Sequence, residues 1–198
     1  MDILYSDKDI AVCIKPVGMD SEHDLPAALL KALGGEFFPI HRLDKNVGGV
    51  MVYACNQKAA ASLSRAIQEG AMVKEYVAMV HGTPPESGDW KDLLFKDSSK
   101  NKVFVVKKER KGVKKARLEF IRLTEGETSL VRIRLHTGRS HQIRVQFASR
   151  GYPLVGDGKY GARDTSPSPM LFSCRLTFPL DGKNHVFSAL PPWAEPEL

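Results

Sequence analysis

At 198 residues, 42% hydrophobic and 26% charged, the chain can bury one good-sized core, undivided or split into two lobes that share a sheet. It lacks a basic segment leading into a long apolar stretch near its start, and no run approaches the roughly 18 apolar residues of a membrane span, so the expectation is a cytoplasmic globular protein without a membrane anchor. Cys13, Cys55 and Cys174 are widely separated and without CxxC spacing, which argues against a disulfide framework or a zinc cluster.

In chain order, DIAVCIKP (9 to 16) is a short apolar run ended by proline, and GVMVYA (49 to 54) is a second one opened by glycine; both predict strands. NQKAAASLSRAIQEG (56 to 70) predicts a helix, with Asn56 as N-cap, Leu63 and Ile67 four apart, and Gly70 as its stop. AMVKEYVAMVHG (71 to 82) places Met72, Tyr76 and Val80 on one face at strand period, and ARLEFIRL and SLVRIRLHT continue the alternation. RSHQIRVQFASRG predicts a second helix, with Ser140 as its cap and Gly151 at its end, and MLFSCRLTF and HVFSAL close the chain as strands. Strands outnumber helices and successive ones suit antiparallel pairing, so the class is α+β, with a large mixed or antiparallel β-sheet and flanking helices in a single domain spanning 1 to 198.

The net charge of +6 is not spread evenly. Lys100 to Arg117 holds nine Lys or Arg and one acid, which leaves the remainder of the chain slightly acidic. A local excess on a balanced surface reads as a contact for a polyanion, or else as a solvated hairpin tip. Lys107, Lys108, Arg110, Lys111, Lys114 and Lys115 are its members, expected on an arm projecting between two strands.

Several site types find no support: there is no GxxxxGK[ST] loop, no GxGxxG after a strand and no HExxH. His136 and His141, five apart, are poorly spaced for one metal on a helix face, so neither metal nor cofactor is expected. What remains are polar groups in ordinary elements: Asp44 in HRLDKNVGG, Tyr76 in KEYVAMVHG, and Arg139, His141, Gln142 and Arg144 in LHTGRSHQIR. A carboxylate and a guanidinium a hundred residues apart could pair across a cleft, where the arginine would keep the acid ionised and oriented. Residue types alone leave open whether Asp44 is a turn residue or a reactive group.

KPVG (15 to 18), HRLD (41 to 44), KEYVAMVHG (74 to 82), TGRSHQIR (137 to 144) and GYPLVGDGKYG (151 to 161) occur in the order and approximate spacing of the RluA-type pseudouridine synthases, and the chain resembles that family from residue 3 to about 190. The resemblance implies a mixed-sheet catalytic core with a central cleft that isomerises uridine to pseudouridine in ribosomal or transfer RNA, without cofactor or metal. It implies Asp44 as the catalytic carboxylate, Tyr76 as the aromatic packed on the target base, and Arg144 as the partner of the aspartate. Arg42, assisted by His41 and Arg139 in contacting RNA, would fill the gap left by the displaced base. The expectation is a catalytic domain without the S4-type RNA-binding domain that many relatives carry at the N-terminus, acting as a monomer. Three departures stand out: Val47-Gly48-Gly49 where the family commonly has Thr-Ser-Gly, Phe172-Ser173-Cys174 where Leu-His-Ala is typical, and Leu118 where threonine is frequent. They leave a second reading, a non-catalytic RNA-binding or ribosome-assembly protein on the same fold.

Overall fold

A computed structural model describes residues 1 to 194. The elements are β1 (Asp2–Ser6), β2 (Ile10–Lys15), α1 (Asp24–Leu33), β3 (Phe38–Pro39), β4 (Gly48–Ala54), α2 (Gln57–Gln68), β5 (Val73–His81), β6 (Ser87–Asp97), β7 (Lys102–Val106), β8 (Val113–Arg122), β9 (Thr128–Leu135), α3 (Gln142–Ala148), a 3₁₀ turn at Gly158–Tyr160, β10 (Leu171–Leu180) and β11 (Lys183–Ser188). The α+β class holds: among the described residues eleven strands form one mixed sheet, with three α-helices. The chain divides into two compact units, Met1–Glu75 with Phe172–Pro192, and Tyr76–Leu171.

In the first unit, β2 and β4 pair antiparallel from Ile10 opposite Ala54 to Lys15 opposite Gly49, and β10 adds a parallel bridge to β4. Both strands are buried almost throughout, which is why they read as continuous apolar runs rather than as alternation. Ile10, Val12, Val50, Val52, Leu63 and Phe178 share one core, each contributing about 1.5–3 kcal/mol by burial. The α2 helix begins as its sequence dictates, with the Asn56 side chain accepting the Ala59 N–H at 2.9 Å.

In the second unit, β9, β8, β6 and β7 lie in that order. The β6–β8 ladder runs from Ser87 opposite Ile121 to Phe95 opposite Val113, and β7 pairs with the far end of β6. One face packs on α3 through Trp90, Phe120 and Phe147, whose rings sit 4.4–5.2 Å apart. The basic tract departs from the expected projecting arm. Much of it is ladder, with only residues 107 to 112 turning between β7 and β8, because the β-branched and aromatic KVFVV run inside it pairs with β6.

The second predicted helix is also shorter than its periodicity suggested. It starts at Gln142, and its N-cap is His141 in a left-handed conformation (φ 49°), so Ser140 is not the cap.

Candidate active site

Asp44 sits half-buried in the turn between Leu43 and β4, and the surrounding groups fix the backbone on either side of it. Its carbonyl accepts the Val47 N–H at 2.9 Å, closing the turn. On the N-terminal side, the buried Ser21 hydroxyl donates to the Leu43 carbonyl at 3.0 Å, and the Tyr53 hydroxyl in turn holds the Ser21 carbonyl at 2.6 Å. On the C-terminal side stands Lys15, 0% exposed, whose ammonium donates to the carbonyls of Pro16, Met19 and Lys45 at 3.0, 2.8 and 3.1 Å. Three acceptors satisfy the three donors of the ammonium, and the carbonyl of the residue after Asp44 is one of them. Burial pushes the Lys15 ammonium down to about 8, opposed by the carboxylates of Asp20, Asp44 and Asp24. Lys15 lies in the KPVG string but was missed as a site residue; a lysine closing an apolar strand just before a proline is the signal that marks it.

The glycines after Asp44 answer a packing demand. Gly49 has φ +131°, and a Cβ there would meet the Ser173 backbone nitrogen at 2.4 Å and oxygen at 2.5 Å. At Gly48 a Cβ would lie 3.2 Å from the Lys15 carbonyl and 3.4 Å from the Phe172 ring. The two departures from the family pattern therefore touch each other, the small Gly48 against the bulky Phe172.

His41 and Arg42 part company. The His41 Nε2 accepts the Val52 N–H at 3.2 Å and its Nδ1 is buried without a hydrogen-bond partner. Burial pushes this imidazole down to about 3, with Lys74 nearby adding to the effect, so it is neutral and anchors the loop to β4. Arg42 is exposed, its guanidinium 3.5 Å from the Glu22 carboxylate.

In the second unit Tyr76 is buried on β5. Arg144, in the first turn of α3 and only 6% exposed, makes a two-pronged contact with Asp157, Nε to Oδ2 at 2.7 Å and Nη2 to Oδ1 at 2.8 Å. Its guanidinium carbon lies 5.1 Å from the centre of the Tyr160 ring, and the Tyr160 hydroxyl meets His141 Nδ1 at 2.8 Å. Asp157, 1% exposed, was missed from the sequence; an acid between two glycines in VGDGKYG was the signal.

The TGRSHQIR segment is held by its own side chains. Thr137 donates to Gln142 Oε1 at 2.7 Å, the Arg139 N–H donates to the same oxygen at 3.1 Å, and Gln142 Nε2 donates to the Arg117 carbonyl at 3.0 Å. Arg139 spends its Nε on the Lys115 carbonyl at 3.0 Å. The loop bearing Asp157 is pinned by Asp164, which accepts the Gly156 N–H with both oxygens at 3.0 Å and meets His81 Nε2 at 2.7 Å. Those contacts, the Gly156 amide first, hold the Asp164 carboxyl well below the usual carboxylate range.

Of the basic tract, Lys107, Lys108, Arg110, Lys111, Lys114 and Lys115 are all exposed. Lys115 pairs with Glu109 at 3.2 Å and Arg110 lies 4.5 Å above the Phe95 ring. Among the described residues no group of three or more His, Cys, Asp or Glu is placed to hold a metal, and no helix is long and apolar enough to cross a membrane.

The chain is 36% identical over 190 residues to an uncharacterized RNA pseudouridine synthase of Aquifex aeolicus, covering 87% of this chain and 60% of that one. It is 34% identical over 181 residues to the ribosomal large subunit pseudouridine synthase D of Vibrio cholerae, covering 84% and 55%. The chain thus spans somewhat more than half the length of these relatives. In fold it is similar to human RNA pseudouridylate synthase domain containing 1, with a TM-score of 0.83 at 24% identity over 96% of this chain and 83% of that one. The model of the RNA pseudouridylate synthase family matches residues 9–149, which include the Asp44 turn, β5 and the first turn of α3, and the chain belongs to that family.

Proposed function

We propose that the protein isomerises specific uridines in structured RNA, ribosomal or transfer, to pseudouridine, with Asp44 as the catalytic carboxylate. The observation that carries this reading is the Asp44 turn. A carboxylate stands on backbone fixed from both sides by Ser21 and Lys15, far more fixation than a solvated turn needs. The reaction breaks the bond from uracil N1 to ribose C1′ and forms one from C5 to C1′, so the detached base must rotate without leaving. One carboxylate can serve by attacking sugar or base or by accepting a proton.

Tyr76 offers a ring against which uracil can turn, and Arg144 offers the cationic partner for Asp44, its guanidinium preset by the Asp157 fork. Arg42, exposed beside the turn, takes the role of filling the gap that a flipped nucleotide leaves. His41 contributes by holding the loop, and Arg139 by its position on the TGRSHQIR turn. The exposed basic tract supplies phosphate contacts. On this reading the protein acts as a monomer in the cytoplasm, and the relative named for the large ribosomal subunit supports ribosomal RNA as the substrate.

The test is tritium release from RNA carrying 5-tritiated uridine, since C5 loses its hydrogen only when the new bond forms. Wild-type protein should release tritium, and Asp44→Asn should not, while binding RNA within a few-fold of wild type. Turnover in clean Asp44→Asn protein would remove Asp44 from this role. RNA binding without any release by wild type would favour the non-catalytic RNA-binding reading.

A further inference from the structure

Residues opposed across antiparallel strands point to the same side of a sheet. In the β7–β6–β8 ladder, Lys91 opposes Arg117, Leu93 opposes Val106 and Lys115, and Phe95 opposes Phe104. These side chains share the face away from α3, since Leu94 and Ala116 on the other face pack with Val145 of that helix. The face stays open: Phe104 is 38% exposed, and beside it lies a groove of about 460 Å³ floored by the Leu93 and Val106 side chains.

The rim of that groove is cationic, formed by Lys91, Lys107, Lys115 and Arg117. Its single carboxylate, Asp92, is already engaged by Arg150 at 2.9 Å and Gln146 at 2.6 Å. On the rim Lys91 pairs with Asp89 at 3.4 Å, Lys115 with Glu109 at 3.2 Å and Arg117 with Asp89 and Glu119, but among the described residues no carboxylate lies within ion-pair distance of Lys107 or of the neighbouring Lys108, Lys111 and Lys114. An apolar floor with the exposed Phe104 ring beside it, and with Lys107 and its neighbouring lysines lacking a carboxylate partner, complements a chain of flat heterocycles joined by phosphates.

We propose that this open face is a platform for a single-stranded segment of the RNA substrate. A base stacks on Phe104, the Arg110 guanidinium over Phe95 offers a second planar surface, and Lys107 and Lys115 take flanking phosphates. The inference rests on the reading of the protein as acting on RNA, and it adds a contact that works by stacking as well as by charge. No base edge is read here, so the platform tolerates sequence and supplies affinity and register.

The full chain is titrated with a fluorescent 12-nucleotide oligouridylate at several salt concentrations, and 4-thiouridine RNA is photo-crosslinked to it and the attachment mapped. Phe104→Ala, a change at an exposed position, should weaken oligouridylate about tenfold without altering the salt slope, and Phe104→Tyr should restore the affinity. Lys107→Gln with Lys115→Gln should instead flatten the slope of log affinity against log salt by about 1.4. Crosslinks should fall within residues 91 to 117. Wild-type affinity in Phe104→Ala, or crosslinks confined elsewhere, would overturn the platform while tritium release by wild type left the RNA reading intact. A wild-type dimer dissociated by Phe104→Ala would assign the face to a second copy and overturn it too. A wild-type protein that neither binds RNA nor releases tritium would sink both.

Discussion

Replacing Asp157 by Asn tests the element that fixes Arg144. The carboxylate is 1% exposed and receives Nε and Nη2 of the guanidinium at 2.7 and 2.8 Å. Asparagine keeps the shape but puts an amide donor where one of those donors needs an acceptor, and it removes the negative charge beside a buried cation. Breaking a buried pair from one side costs about 3–5 kcal/mol. The amide oxygen retains one of the two bonds, which places the expected loss at the lower end, about 3 kcal/mol. In a chain of this size each kcal/mol moves the melting temperature by about 2–4 °C, so Asp157→Asn should melt roughly 6–12 °C below wild type. Circular dichroism in thermal and urea scans measures this, and tritium release well below the melting temperature measures whether the remaining folded protein still turns over. Turnover should fall as well, because a guanidinium released from its fork is no longer held in one orientation. A loss under 1 kcal/mol with wild-type turnover would show that the fork neither stabilises the unit nor positions Arg144.

Arg144→Met should slow turnover, since it removes the cation proposed to serve Asp44; wild-type turnover in that variant would rule out the role. Gly48→Ser should cost about 1–3 kcal/mol by crowding the Phe172 ring, and combining it with Phe172→Leu should recover part of that loss in a double-mutant cycle read by urea unfolding; strict additivity would deny the contact. Lys15 carries a pH signature in the alkaline range. Its amine titrates near 8 when folded and near 10.5 when unfolded, so between those values the unfolded chain holds the extra proton and folding gains free energy as pH rises. The stability of wild type relative to Lys15→Met should therefore climb from pH 8 to 10.5, and a flat difference would mean that the ammonium is not desolvated.

How much of this was legible depended on what each segment packs against. The β2 and β4 strands and α2 were readable because their signals are local: apolar runs for strands buried on both faces, and an asparagine cap with a glycine stop. The β1 strand was not, since all five of its residues are exposed and DILYS has no contrast between inside and outside. The α1 helix hid behind Pro26 in its first turn and an N-cap, His23, whose side chain makes no capping bond. The β7 strand hid inside a charge excess, because five ladder residues were read together with the lysines that flank them.

The site divides the same way. HRLD and TGRSHQIR announced Asp44 and Arg144, but the groups that hold them could not be found by residue type, since their work is done through backbone. Lys15 acts on three carbonyls and Ser21 on one, and Gly49 acts by having no side chain where the Ser173 backbone approaches. None of these contacts leaves a charge pattern or a spacing. The departures at Gly48 and Phe172 show the same limit: as separate strings they looked like two independent losses beside the site, whereas in space they are one exchange of volume between neighbours. On the proposed reading of the protein as a uridine isomerase, that contact bears on which uridine is selected more than on the chemistry assigned to Asp44.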